Sequence, residues 1–248
     1  MDPLSISAAS GMRARMESLD MLANNLANAT TVGYKSDREF YSLYSSAEAA
    51  ADASQVPEGA DTAPVIESPW VDFAQGVLRV TGNSLDLGID GPGFFQVKGP
   101  RGTLFTRNGN FRLSPTGTLV TADGYAVLTA NGGTIQAQPQ SPVEVLPDGN
   151  VNQQGQLLGQ IQLVNFSSRS AIGKQGANYF YLADPNAQPA ASGAQVYQGR
   201  LEDSNAGAAE GAIRLVGIMR QFEMLQRAAK IGNDMDRQAV EQVAKVTS

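Results

Sequence analysis

The chain has 248 residues, a formal net charge of −6, 42% hydrophobic and 17% charged residues, and neither Cys nor His. An acidic balance lacks the basic face that a nucleic-acid binder needs. Without thiols and imidazoles, the usual zinc and copper ligands and the Ser-His-Asp and Cys-His nucleophile systems are missing, so no catalytic residue, metal or cofactor is expected.

Met1-Asp2-Pro3-Leu4 lacks the basic start and apolar core of a cleaved signal peptide. No run of about 18 apolar residues exists, so no transmembrane segment is expected. Zero Cys suits a chain that crosses an oxidising compartment, where a stray thiol would mispair; lineage bias explains it equally well.

The pattern predicts a mixed α and β chain: an N-terminal coiled-coil helix over 1–36, an irregular connector over 37–69, a central antiparallel all-β domain over 70–200, and a C-terminal coiled-coil helix over 201–248. In the first zone Ala9, Met12, Met16, Leu19, Ala23 and Leu26 recur at steps of three and four. That is a seven-residue seam. Asn28 and Gly33 are plausible helix-ending residues. Residues 45–65, rich in Ala, Ser, Asp and Pro, show little periodicity and read as a connector.

From Trp70 to Leu182, short runs rich in Val, Ile, Leu, Phe and Tyr alternate with turns. Examples are Val77–Val80, Leu85–Ile89, Phe94–Val97, Thr103–Thr106, Thr118–Thr121, Tyr125–Leu128 and Gln160–Val164. Asp90-Gly91, Asn108-Gly109, Asp123-Gly124, Asn131-Gly132 and Asp148-Gly149 read as positive-φ hairpin turns between antiparallel strands. Calcium loops would need several oxygen ligands at fixed spacing, and these pairs are too scattered.

The helical period returns near Asn205. Leu215, Ile218, Phe222, Leu225 and Ala229 repeat at three and four, while Ile213, Val216, Met224, Ile231 and Met235 widen the stripe. Ser204 or Asn205 is the expected cap. The two helical ends are close to neutral, and the β middle carries nearly all of the negative charge.

Each stripe must be covered. About ten such side chains left wet would each forgo roughly 1.5–3 kcal/mol. The cover is either the other helix of the same chain, as an ordinary hairpin under the sheet, or the helices of neighbouring copies. Head-to-tail docking of copies gives an open helical polymer.

Several segments resemble one family. Ala23-Asn24-Asn25-Leu26-Ala27-Asn28, with Thr31, Gly33, Tyr34 and Lys35, is similar to the N-terminal signature of flagellar rod and hook proteins. Leu85-Asp86-Leu87-Gly88-Ile89-Asp90-Gly91 with Gly93-Phe94-Phe95-Gln96-Val97 resembles the family's central strand motif. Thr106-Arg107-Asn108-Gly109-Asn110-Phe111, followed by Gly117 and Leu119–Tyr125, resembles the next. Leu201-Glu202-Asp203-Ser204-Asn205 is similar to the segment opening the family's C-terminal helix, although Ala206 and Gly207 replace the usual Val and Asn. Arg220-Gln221-Phe222-Glu223-Met224 and the long end favour the proximal-rod branch, with the distal-rod or hook type as rival.

The resemblance implies a structural subunit of the flagellar basal-body rod, exported through the flagellar type III apparatus and assembled in the periplasm. Its implied partners are copies of itself and other rod and hook axial proteins, and its implied work is transmitting torque. The expected subunit-interface residues are Met12, Met16, Leu19, Leu22, Asn24, Asn25, Leu26, Asn28, Gly33, Tyr34, Lys35, Leu201, Glu202, Ser204, Asn205, Leu215, Ile218, Phe222 and Leu225. The amides of Asn24, Asn25 and Asn28 are expected to bond across subunits, as buried Asn does in coiled coils; a helix cap and turn is the plainer alternative. Glu202 and Asp203 are adjacent and point apart, so a cap or salt bridge is favoured over an acid pair.

Two other functions fit the residues less well. A secreted adhesin or carbohydrate-binding module would need an aromatic platform drawn from Trp70, Tyr125, Tyr179, Phe180 and Tyr181. A peptidoglycan glycosidase would need two carboxylates across a cleft, which no spacing indicates.

Overall fold

The computed structural model describes residues 3–43 and 64–246. Helix α1 (Pro3–Ala27) opens the chain, and strands β1 (Asp37–Leu43) and β2 (Pro64–Val71) follow. Next come β3 (Leu78–Val80), β4 (Leu87–Asp90), β5 (Phe94–Gly99), β6 (Gly102–Thr106), β7 (Phe111–Leu113), β8 (Leu119–Thr121) and β9 (Ala126–Val127). Then follow β10 (Val143–Val145), β11 (Asn150–Gln153), β12 (Gln156–Gln160), β13 (Leu163–Asn165), β14 (Ile172–Gln175) and β15 (Tyr179–Leu182). Strands β16 (Ala190–Ala191), β17 (Gln195–Gln198) and β18 (Arg200–Glu202) lead into helix α2 (Ala208–Val246).

The chain divides into two compact units. One holds α1, the β1–β2 pair and α2; the other holds residues 28–36 and 71–207. In the helical unit the two helices run antiparallel: Gly11 faces the Leu225 side chain, and Gly211 lies 4.0 Å from Leu26 Cδ1 when a Cβ is placed on it.

This packing corrects the coiled coil expected from the heptad spacing. A knobs-into-holes seam needs a continuous row of large apolar side chains on both helices. The buried face of α1 is instead Ala14, Ser18, Leu22 and Asn25, partly small and polar, and Met16 of the expected seam is 55% exposed. On α2, Leu215, Ile218, Phe222, Leu225 and Ala229 are half-buried, while Ile213, Val216, Met224, Ile231 and Met235 are exposed instead of widening one stripe. Small residues let the helices approach without a seam. A further difference lies in the expected connector over 37–69: β1 forms its start and β2 its end, while residues 44–63 lie outside the described residues.

In the β unit, β5 is the organising strand. It pairs with β6 on one edge and with β13 and β9 on the other, all antiparallel. Successive strand residues point to opposite faces. Phe95 and Val97 therefore enter one core with Leu87, Ile89, Val127 and Val151, whereas Phe94 enters a second with Phe105, Val164, Ile172 and Phe180. Burial on both faces at the start of β5 explains why Phe94 and Phe95 stand side by side, before Gln96, Val97 and Lys98 alternate.

Three of the five expected turns close hairpins. Gly124 (φ 87°) joins β8 to β9, Gly149 (φ 84°) joins β10 to β11, and Gly132 (φ 74°) reverses the chain between Thr129 and Gly133. The others serve differently. Gly91 ends β4, whose partner is β17, and Gly109 is required by contact, since a Cβ there would sit 1.7 Å from the Leu87 carbonyl oxygen.

Candidate functional site

The segments that resemble one family converge inside the β unit on one buried carboxylate. Glu202, at the end of β18, is fully buried. Its Oε1 accepts from Lys35 Nζ at 2.5 Å and from the Gly76 amide at 2.8 Å. Arg107 Nη1 stands 3.2 Å from Oε2. Lys35 also donates to the Ala74 carbonyl at 2.7 Å, and Arg107 Nη2 donates to the Gly91 carbonyl at 2.7 Å.

Backbone geometry brings these side chains together. Gly33, in the left-handed region at φ 68°, donates its amide to the Glu202 carbonyl at 2.7 Å. A Cβ on Gly33 would lie 2.4 Å from the Asn108 nitrogen, so only glycine allows the chain to pass there. Tyr34 is fully buried, with Lys174 Nζ 4.1 Å from its ring centroid, a cation–π contact. Lys174 also donates to the Lys35 carbonyl at 2.9 Å.

Asn205 ties the incoming and outgoing chains together. Its Oδ1 accepts from the Ser36 amide at 2.7 Å, and its Nδ2 donates to the carbonyls of Asp72 at 2.7 Å and Ala74 at 3.1 Å. It is therefore not the cap expected for α2, which begins three residues later. Ser204 Oγ accepts from the Ala206 amide. Asp203 turns away from its neighbour and pairs with Arg79 at the surface, 3.1 Å away.

Burial sets the electrostatics of the cluster. Desolvation pushes the Lys35 pKa below its usual value, against the pull of Glu202, and the nearby Arg107 cation adds to the depression. The Arg107 pKa is lowered for the same first reason and is supported by Glu202 and Asp90. Two cations share one carboxylate; Lys35 Nζ and both terminal nitrogens of Arg107 also donate to backbone carbonyls, while Arg107 Nε and Glu202 Oε2 are buried without a hydrogen bond. A buried carboxylate gripped by two cations and an amide fastens chain segments that lie far apart in sequence.

The expected interface residues fall in several settings. Gly33, Tyr34, Lys35, Leu201 and Glu202 are buried within the β unit, with Ser204 and Asn205 half-buried beside them. Leu22 and Asn25 are buried in the helical unit, where Asn25 exchanges two amide hydrogen bonds with the Asp37 backbone at 2.7 and 2.9 Å. Asn28 accepts from the Thr31 hydroxyl at 3.2 Å, in the turn after α1. Met12, Leu19, Leu26, Leu215, Ile218, Phe222 and Leu225 are half-buried, while Met16 and Asn24 are exposed.

Arg107, Asp72 and Gly76 were not among the expected site residues. Only the family-like run around Arg107-Asn108-Gly109 pointed toward the first. Of the five aromatics considered for a binding platform, Tyr181 is exposed. Phe180 is fully buried, Tyr179 packs edge-on against Tyr125 at 5.4 Å and donates to Asp123, and Trp70 belongs to the helical unit. Among the described residues no group of three or more His, Cys, Asp or Glu is placed to hold a metal ion, and no helix is long and apolar enough to cross a membrane.

Comparison with known proteins meets this geometry. Residues 7–35 match the "Flagella basal body rod protein" family model, and residues 88–177 match "Flagellar hook protein FlgE/F/G D1 domain". Lys35 falls in the first match and Arg107 in the second; Glu202 lies beyond both. Flagellar basal-body rod protein FlgF of Caulobacter vibrioides is 34% identical over 92% of each chain. Flagellar basal-body rod protein FlgG of Bacillus subtilis is 34% identical over 88% of this chain and 90% of its own. FlgG of Agrobacterium fabrum is 33% identical over 92% of this chain and 94% of its own. With likeness running through nearly the whole length, the chain belongs to the flagellar basal-body rod protein family and is a structural subunit of the rod in the flagellar basal body.

Proposed function

We propose that this subunit polymerises helically through its terminal helices, with sister molecules and with other rod and hook axial proteins, and carries torque as a mechanical element rather than a catalyst. One observation supports this most. Ile213, Met224, Ile231 and Met235 of α2 are 75%, 60%, 60% and 65% exposed. At about 100° per residue, they lie on the side of α2 away from Leu215, Ile218, Phe222 and Leu225. The helix thus has one apolar face toward α1 and another in water. Leaving that outer face wet forgoes roughly 1.5–3 kcal/mol per side chain, and neighbouring subunits are the cover the family's work supplies. Met16 and Asn24, exposed on α1, extend the proposed contact.

The tail sequence around Arg220–Met224 and its length favour a place in the proximal rod. A periplasmic rod also requires delivery across the inner membrane, for which the flagellar type III export apparatus is the proposed route. The test is the full-length Ile213→Ser/Met224→Ser/Ile231→Ser variant in cells lacking the natural chain. The variant should keep its helical circular dichroism yet fail to enter basal bodies or restore swimming. Normal swimming would overturn the proposal.

A further inference from the structure

The chain holds seven methionines and no cysteine, and every methionine falls within residues 1–27 or 208–246. The β unit, the larger part of the molecule, has none. Thioethers are therefore the chain's only sulfur groups, and among the described residues they are confined to the two helices. In the folded subunit Met16, Met219, Met224 and Met235 are 55%, 50%, 60% and 65% exposed. Met224 and Met235 lie on the outer face of α2, and Met219 lies at the edge of the inner stripe, next to Leu215. Met12 and Met21 are half-buried.

We infer that these four exposed thioethers are an oxidative modification site that withdraws free subunits from assembly, a role that rests on the proposed use of the outer helical face. The co-reactant is a peroxide. The thioether sulfur attacks one peroxide oxygen, an S–O bond forms as the O–O bond breaks, and the second oxygen leaves as water after proton transfer. Sulfur loses two electrons and the peroxide gains them. The product, methionine sulfoxide, is polar and chiral where the interface needs an apolar, flexible side chain. The change is reversed by methionine sulfoxide reductases. Once a subunit is assembled, its neighbours cover the same sulfurs, so oxidation acts on the unassembled pool.

The test uses the purified full-length chain and hydrogen peroxide. Peptide mass spectrometry should find a gain of about 16 Da per oxidised methionine. Met16, Met219, Met224 and Met235 should react nearly as fast as in denatured chain, and Met12 and Met21 more slowly. In sedimentation, the concentration at which copies associate should rise by at least about tenfold after oxidation, because a polar group would be buried in the contact. Reductase treatment should restore it. For the Met16→Leu/Met219→Leu/Met224→Leu/Met235→Leu variant, the concentration at which copies associate should be the same before and after peroxide. Slow reaction at the four sites, unchanged association of oxidised chain, or peroxide sensitivity of the Leu variant would overturn the inference. Unchanged association of the Ile213→Ser/Ile231→Ser variant would instead overturn the proposed outer-face contact itself.

Discussion

Glu202 pairs directly with two cations, and that arrangement decides what each substitution does. Removing the carboxylate leaves two buried cations facing each other, whereas removing Lys35 leaves one balanced pair of Arg107 and Glu202. Breaking a buried pair by removing one partner typically costs about 3–5 kcal/mol. Glu202→Gln should therefore lose about that much. Lys35→Met should lose only about 1–2 kcal/mol, mainly hydrogen bonds to Glu202 and Ala74. Urea unfolding of the full chain, followed by near-ultraviolet circular dichroism, measures both, and an equal loss would contradict the balance of charges described above. Tyr179 carries a separate, pH-dependent contribution. Burial first, and then its hydrogen bond to Asp123, raise its pKa well above the usual 10.0. The folded chain keeps the phenol proton where the unfolded chain sheds it. Its contribution is thus complete below about pH 10 and is lost as pH rises through the folded value. Tyr179→Phe should cost about 0.5–1.5 kcal/mol at pH 8, and the gap to the natural chain should narrow above pH 10.

At the scale of elements, local chemistry was legible and long-range pairing was not. Asp123-Gly124, Asn131-Gly132 and Asp148-Gly149 could be read as reversals because their φ requirement is local. Asn108-Gly109 carries the same letters for another reason: the Leu87 carbonyl lies against it, a contact no short window reveals. Gly109→Ala should accordingly fail to fold or show a strongly lowered melting temperature, since backbone rather than a movable side chain occupies the space. Gly124→Ala, with nothing within 4 Å and only its positive φ to strain, should be much milder. A thermal melt of the two variants separates the readings. The helices show the complementary limit. Spacing identified them, but α1 is populated all round by Ala, Ser, Met and Leu, so periodicity alone did not fix the buried face. The charge cluster was hidden for a simpler reason: Lys35 and Glu202 are 167 positions apart, and each looks like an ordinary charged residue in its own window.

For the whole molecule, the boundary between the helical unit and the β unit does not coincide with the ends of the helical zones read from sequence. Residues 28–36 belong to the β unit and supply it with Gly33, Tyr34 and Lys35, while Asn205 returns from the other side to bond Ser36, Asp72 and Ala74. The chain enters and leaves the β unit through one fastened crossing. Truncation should therefore behave in two steps. Removing residues 1–27 and 208–248 deletes the helices and leaves the crossing intact, so the product should remain a cooperatively folding β protein that cannot enter rods. Extending the first cut to residue 36 strips Lys35 from Glu202, and extending the second to start at residue 205 removes the Asn205 bracket. Either longer cut should lower the melting temperature of the β protein further, although it adds only nine or three residues to the deletion. If the shorter and longer truncations melted together, the crossing would be a passive contact. If the shorter product still entered rods, assembly would not depend on the helices.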